Sequence, residues 1–156
     1  MDRLMFTSET EQYLSEIRIP LRLSCMTASG WPNVLSLWYL YREGNLYCAT
    51  QETAKVVSYL RHDPRCAFEI AADQPPYCGV RGQGMAVLDV RLGSEILQQL
   101  LTRYLGSTDS PLAQRLLAQS QDEVAIIIQP IKVFTWNYAS RMKDTVPMVD
   151  SKLCPD

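Results

Sequence analysis

Residues 21–50 read LRLSCMTASGWPNVLSLWYLYREGNLYCAT, three β-rich runs punctuated by two turns. Residues 21–27 are strand-like, and Ala28-Ser29-Gly30-Trp31-Pro32 supplies turn chemistry. Residues 33–41 carry Val34, Leu35, Leu37, Trp38, Tyr39 and Leu40, and Arg42-Glu43-Gly44-Asn45 turns the chain into residues 46–50. β-branched and aromatic runs between Gly, Pro and Asn clusters predict strands, here a hairpin followed at once by a third strand.

The periods on either side complete the expected pattern. Residues 8–17 place Tyr13, Leu14 and Ile17 on one helical face, and Val56, Val57 and Leu60 do the same in a short helix that Asp63-Pro64 stops. Residues 65–72 resume strand character. After Asp73-Gln74-Pro75-Pro76, residues 77–90 predict a long bent strand. Its Gly79, Gly82 and Gly84 weaken it unless they serve a bulge, a corner or a close approach. Residues 93–105 form a helix with the apolar stripe Ile96, Leu97, Leu100, Leu101 and Tyr104, which suits either the barrel or a partner. Ser110-Pro111 starts another helix, and residues 124–128 and 131–138 are two β runs broken by Gln129-Pro130. About seven short strands in an antiparallel meander, without β-α-β alternation, predict a mainly β fold closed into a barrel, with a β-sandwich second. One domain over residues 1–140 and a polar tail over 141–156 are expected.

Composition narrows the functional classes. With 47% hydrophobic and 21% charged residues the chain can build its own core, and a net charge of −2 gives no global attraction to nucleic acid or anionic lipid. No apolar run reaches the length of a membrane helix, and the first residues lack the features of a signal peptide, so a cytoplasmic protein is expected. Five cysteines without a C-x-x-C pair predict buried free thiols rather than disulfides or a metal site. The one histidine, His62, falls at a helix end, which excludes any two-histidine site, and no G-x-S-x-G elbow supports a serine hydrolase.

The strongest local constellation is Cys48-Ala49-Thr50-Gln51-Glu52-Thr53-Ala54-Lys55, where a strand feeds a helix. Free N–H groups, the Thr50 and Thr53 hydroxyls and the Lys55 ammonium suit an anion such as phosphate, and Arg61 or Arg65 would add positive field. The same residues also suit a plain helix cap, a solvated lysine and an ordinary first-turn acid, Glu52.

Several pieces in order resemble the flavin-binding split β-barrel proteins related to pyridoxamine 5′-phosphate oxidase. They are Ser24-Cys25-Met26-Thr27 with Gly30-Trp31-Pro32, Val34-Leu35-Ser36-Leu37-Trp38, Leu46-Tyr47-Cys48-Ala49-Thr50, the segment from Lys55 to Arg61, Asp63-Pro64-Arg65 and Val80-Arg81-Gly82-Gln83-Gly84. The resemblance spans about residues 11–138 and implies a six- to seven-stranded antiparallel split barrel. It also implies a homodimer with FMN in grooves between subunits and a small-molecule substrate or electron donor.

By the same resemblance Val34, Leu35 and Ser36 would line the isoalloxazine, Ala49 and Thr50 would meet the ribityl phosphate, and Lys55 would pair with it. Arg81 and Gln83 would lie near ring or phosphate, and Trp136 would touch the partner's flavin or serve the core. No catalytic side chain is assigned. Asn33 stands where the oxidases carry Arg, and no Arg-x-His segment follows Trp136, which argues against vitamin oxidase activity. Deazaflavin or haem in the same groove, or a non-enzymatic flavin-binding module, are the alternatives.

Overall fold

A computed structural model describes residues 6–144 and 154–155. In chain order it contains α1 (Ser8–Glu16), β1 (Leu21–Met26), β2 (Pro32–Leu37), β3 (Leu40–Arg42), β4 (Asn45–Gln51), α2 (Lys55–His62), β5 (Arg65–Ala71), β6 (Cys78–Asp89), α3 (Gly93–Leu105), α4 (Pro111–Leu117) and β7 (Glu123–Asn137). The strands form one antiparallel sheet in the order β2-β1-β5-β6-β7-β4-β3. This bears out the mainly β expectation and the first hairpin, and it corrects the meander. The run over residues 33–41 divides after Leu37, and its second part pairs with β4 at the opposite edge of the sheet.

That division is what closes the fold. β2 and β3 lie at the two ends of the sheet order, yet only Trp38 and Tyr39 separate them in sequence. Three peptide steps span at most about 11 Å. The sheet must therefore roll until its two edges almost meet, which makes a barrel with a slit. Leu21, Leu23 and Cys25 of β1, Leu46 and Cys48 of β4, Cys66, Phe68 and Ile70 of β5, and Val124, Ile126 and Ile128 of β7 point into it. Val56, Val57 and Leu60 of α2 join the same core.

Two further elements depart from the expected pattern for identifiable reasons. Pro130 does not break β7, because β4 pairs only as far as Ile128 and the missing N–H is not needed there. The irregularity falls instead between Gln83 and Gly84: Gln83 faces Lys132 and Gly84 faces Pro130, leaving Ile131 as the extra residue of a bulge. A Cβ on Gly82 would stand 2.4 Å from the Lys132 carbonyl oxygen and one on Gly84 2.6 Å from that of Gln129, so both glycines serve the close approach of β6 to β7.

The apolar stripe of α3 packs on its own barrel: Ile96 and Leu100 sit against Ala125, and Leu97 and Leu101 against Ala113 of α4. Each such buried side chain contributes about 1.5–3 kcal/mol. The free-thiol expectation holds for Cys25, Cys48 and Cys66 and fails for the other two cysteines, since Cys78 and Cys154 form a disulfide. They lie 76 positions apart in sequence, and no local spacing rule pairs cysteines so distant. The rest of the tail beyond residue 144, apart from Cys154 and Pro155, lies outside the described residues.

Candidate functional site

Strand alternation gives the barrel an outer face, and α3 covers only the part of it formed by β4 and the first half of β7. Over β2, β1, β5, β6 and the second half of β7, no helix among the described residues lies on the outer face. The pairing register arranges its side chains in rows across the strands. One row runs Ser36, Arg22, Glu69, Arg81, Phe134, and the next Val34, Ser24, Ala67, Gln83, Lys132.

A depression of about 410 Å³ opens along these rows, lined by Arg22, Ser24, Val34, Arg81, Gln83 and Phe134 among others. A second, of about 600 Å³, adjoins it through the shared residues Ser24, Ala67 and Gln83 and extends to Met26, Met85 and Ile131. Val34 is 67% exposed, Ile131 62% and Phe134 43%, so the surroundings are apolar and uncovered.

Trp136 borders the same face. It sits opposite Gly79, where a Cβ would stand 2.9 Å from the indole, so the glycine gives the ring room to lie against the sheet. The Arg81 guanidinium lies 5.4 Å from the indole centroid, a cation–π contact. Lys132 stands over Phe134 at 4.9 Å and Arg141 over Tyr138 at 5.5 Å, so alternate positions of the outgoing chain present aromatic rings, each with a cation upon it.

The cations differ in how far they are already neutralised. Arg22 pairs with Asp73 at 3.1 Å and Arg65 with Asp63 at 2.7 Å. The hydrogen bonds from Arg65 lower the Asp63 carboxyl to about 2. Arg81 makes no ion pair among the described residues, which leaves its charge available to a ligand.

The remaining sequence-predicted residues are distributed by strand alternation. Leu35 points inward against the main core and Ser36 outward. Among the described residues β2 pairs only with β1, which leaves its other backbone edge open beside the slit. Ala49 lies under α3, and Thr50 sits opposite Val124 at the end of β4.

Lys55 is the first residue of α2, exposed and without an ion-pair partner among the described residues. The helix cap is Ala54, not Thr50, and it makes no side-chain hydrogen bond; the Val57 N–H donates to the Ala54 carbonyl, which leaves the N–H groups of Lys55 and Val56 as the free donors of the first turn. Glu52, the carboxylate nearest this turn in sequence, is drawn to Arg61 at 2.9 Å. Within one chain, Val34, Arg81 and Gln83 share a depression with Trp136 beside it, while Ala49, Thr50 and Lys55 do not line it. His62 ends α2 exposed, and no metal-binding cluster of His, Cys, Asp or Glu occurs among the described residues.

Arg22, Ser24, Ala67 and Phe134 were not among the sequence candidates. Their only sequence signal is the alternation of each strand, which tells outward from inward but not which outward positions share a row.

No family model and no curated protein matches the chain. Solved structures do. A conserved hypothetical protein from Mycobacterium tuberculosis superposes with a TM-score of 0.71 at 20% identity, over 94% of this chain and 91% of that one. An F420 reductase superposes at 0.67 and 18% identity, over 79% and 94%. The haem storage protein HutZ of Vibrio cholerae does so at 0.62 and 19%, over 81% and 91%. Pyridoxamine 5′-phosphate oxidase-like proteins also occur among the structural neighbours. At these identities the likeness shows the fold they share.

Proposed function

Starting from a chain with the split-barrel fold of the pyridoxamine 5′-phosphate oxidase-like proteins, we propose that the uncovered sheet face binds FMN and that the protein is a flavin-dependent oxidoreductase acting on a small molecule. The observation that carries this reading is the convergence of Val34, Arg81 and Gln83 on one apolar depression beside Trp136 and the open edge of β2. The chemistry of these residues fits the group. Apolar surface and an indole suit a flat ring, free backbone groups on β2 suit its polar edge, and an unpaired Arg81 suits negative charge. Lys55 at the open N-terminus of α2 suits the phosphate, and the Glu52–Arg61 pair removes the objection that a nearby carboxylate would repel it. Bound flavin supplies hydride and electron transfer, while this chain binds, orients and excludes water.

The reading includes a homodimer. Ala49, Thr50 and Lys55 do not line the depression that holds Arg81, so a groove using both sets takes one from each of two copies, and the exposed Val34, Ile131 and Phe134 provide apolar surface for the contact. Cytoplasmic residence is part of the reading: Cys25, Cys48 and Cys66 stay free thiols, whereas the Cys78–Cys154 disulfide is a bond that a reducing compartment disfavours. No helix of the described residues is long and apolar enough to cross a membrane.

A deazaflavin is the second reading, favoured by the likeness to an F420 reductase. The exposed position of His62 disfavours histidine-ligated haem.

The test is the visible spectrum of concentrated protein before and after addition of FMN and desalting. Flavin bands retained at about one per subunit support the reading. A protein that stays colourless with FMN but retains a deazaflavin moves it to the second.

A further inference from the structure

The five cysteines fall into two groups. Cys25, Cys48 and Cys66 point into the barrel, and burial raises all three thiols, that of Cys66 to about 12, so at neutral pH they are protonated and slow to exchange. Cys78 and Cys154 are joined, with Cα atoms 5.6 Å apart.

Their position links this bond to the candidate site. Cys78 is the first residue of β6 and pairs with Asn137, one register step from the Gly79–Trp136 pair and three residues from Arg81. The Tyr138 N–H donates to the Tyr77 carbonyl at 2.9 Å on the other side. Cys154 is half-buried against the main core and Pro155 is buried, so the bond draws the end of the chain onto this strand end.

We propose that Cys78 and Cys154 form a reversible thiol–disulfide clasp that braces the strand end carrying Trp136, so that the surrounding thiol pool sets how firmly this aromatic wall is held. The reductant is a small dithiol. Its thiolate attacks the more exposed Cys154 sulfur, the S–S bond breaks, and Cys78 leaves as a thiolate that takes a proton. The second thiol of the reagent then closes its own cyclic disulfide and releases Cys154 as a thiol, two electrons passing from reagent to protein. Glutathione disulfide reverses the exchange. Because the three remaining thiols are buried and protonated, the pair has no competing partner.

The test uses the full chain without added cofactor. Native protein is equilibrated with reduced or oxidised thiol reagent, alkylated without denaturant and weighed intact, and the Trp136 indole N–H proton signal, assigned with Trp136→Phe, is recorded in both states. The expected result is no label when oxidised and one label, on the half-buried Cys154, when reduced, with Cys78 kept unlabelled by the core, and none again after glutathione disulfide. The Trp136 signal should shift on reduction in the wild type and stay unmoved in Cys154→Ser, whose thermal melt confirms that it is folded. The proposal is overturned if the bond yields only on unfolding, if label appears on Cys25, Cys48 or Cys66, or if the Trp136 signal is the same in both redox states.

Discussion

Arg81 and Trp136 meet across the β6–β7 pair, guanidinium over indole at 5.4 Å, and among the described residues no carboxylate forms an ion pair with the arginine, although Glu69 stands opposite it on β5. The charge is held in place by an aromatic face and not neutralised, an arrangement suited to an anionic planar ligand. Replacing Arg81 by Ala is expected to weaken FMN binding about 10-fold or more, since a hydrogen bond to a charged group is worth about 1.5–3 kcal/mol. Arg81→Lys should recover only part, because an ammonium lacks the planar stack. Fluorescence titration of flavin measures both; unchanged affinity in Arg81→Ala would remove this residue from the site.

Lys55 carries a separable prediction. If its ammonium meets the phosphate, Lys55→Ala should lose affinity for FMN about 10-fold and leave riboflavin, which has no phosphate, unaffected. Calorimetry with both ligands gives the ratio. An equal loss for the two would show that Lys55 acts through the fold and not on the phosphate.

Arg103 holds the N-terminal helix to the barrel. α1 has no basic residue in its last turn, and the Arg103 guanidinium supplies the missing partner, donating to the carbonyls of Ser15 at 2.6 Å, Ile17 at 2.6 Å and Leu14 at 3.2 Å. It also stands over the Tyr39 and Tyr104 rings. Arg103→Leu removes this donor from all three carbonyls, of which Leu14 keeps the Tyr39 hydroxyl, and should cost about 2–4 kcal/mol. Urea denaturation gives the number, and a loss below about 0.5 kcal/mol would show that water replaces the arginine at no cost.

Glu123 links stability to pH. It is 5% exposed, receives a hydrogen bond from the Gln51 amide, and leaves its other carboxylate oxygen buried without a partner. Burial raises its pKa, and the Gln51 contact offsets this only in part. A raised acid favours folding while protonated, so its contribution is complete below the unfolded value of about 4.3 and is lost as pH rises through the folded value. Glu123→Gln keeps the acceptor for Gln51 and removes the titration. Its stability should match the wild type at pH 4 and exceed it at pH 7; a constant difference across this range would show that the carboxyl titrates as it does in water.

Residues close in sequence announced themselves and residues joined by the roll of the sheet did not. The first hairpin followed from Ala28-Ser29-Gly30-Trp31-Pro32, and α3 from the spacing of Ile96, Leu97, Leu100 and Leu101. The jump from β2 to β3 was hidden because Trp38 and Tyr39 are as good in a strand as the residues around them. What displaces them is tertiary: Tyr39 is fully buried, its hydroxyl on the Leu14 carbonyl, and Trp38 stacks on Tyr104. The individual site residues were partly legible through the family resemblance. Their grouping was not, because the row that joins Arg81 to Arg22 and Phe134 depends on the register of four strands. Gly93 shows the same limit: a Cβ there would lie 2.0 Å from the Glu123 carbonyl oxygen, a conflict with a strand 30 residues later.

The sheet order also fixes when the barrel can close as the chain is made. β4 has only the three-residue β3 beside it until β7 arrives, and β7 begins about 70 residues after β4 ends. At a synthesis rate of about 5–20 residues per second, β4 therefore waits about 4–14 s with one edge unpaired. Its sequence, NLYCATQ, carries no charge and no proline to ward off a foreign strand during that interval. The vulnerable period of this protein lies on the ribosome, and slowing translation anywhere between residues 52 and 122 should lengthen it and lower the yield of folded chain.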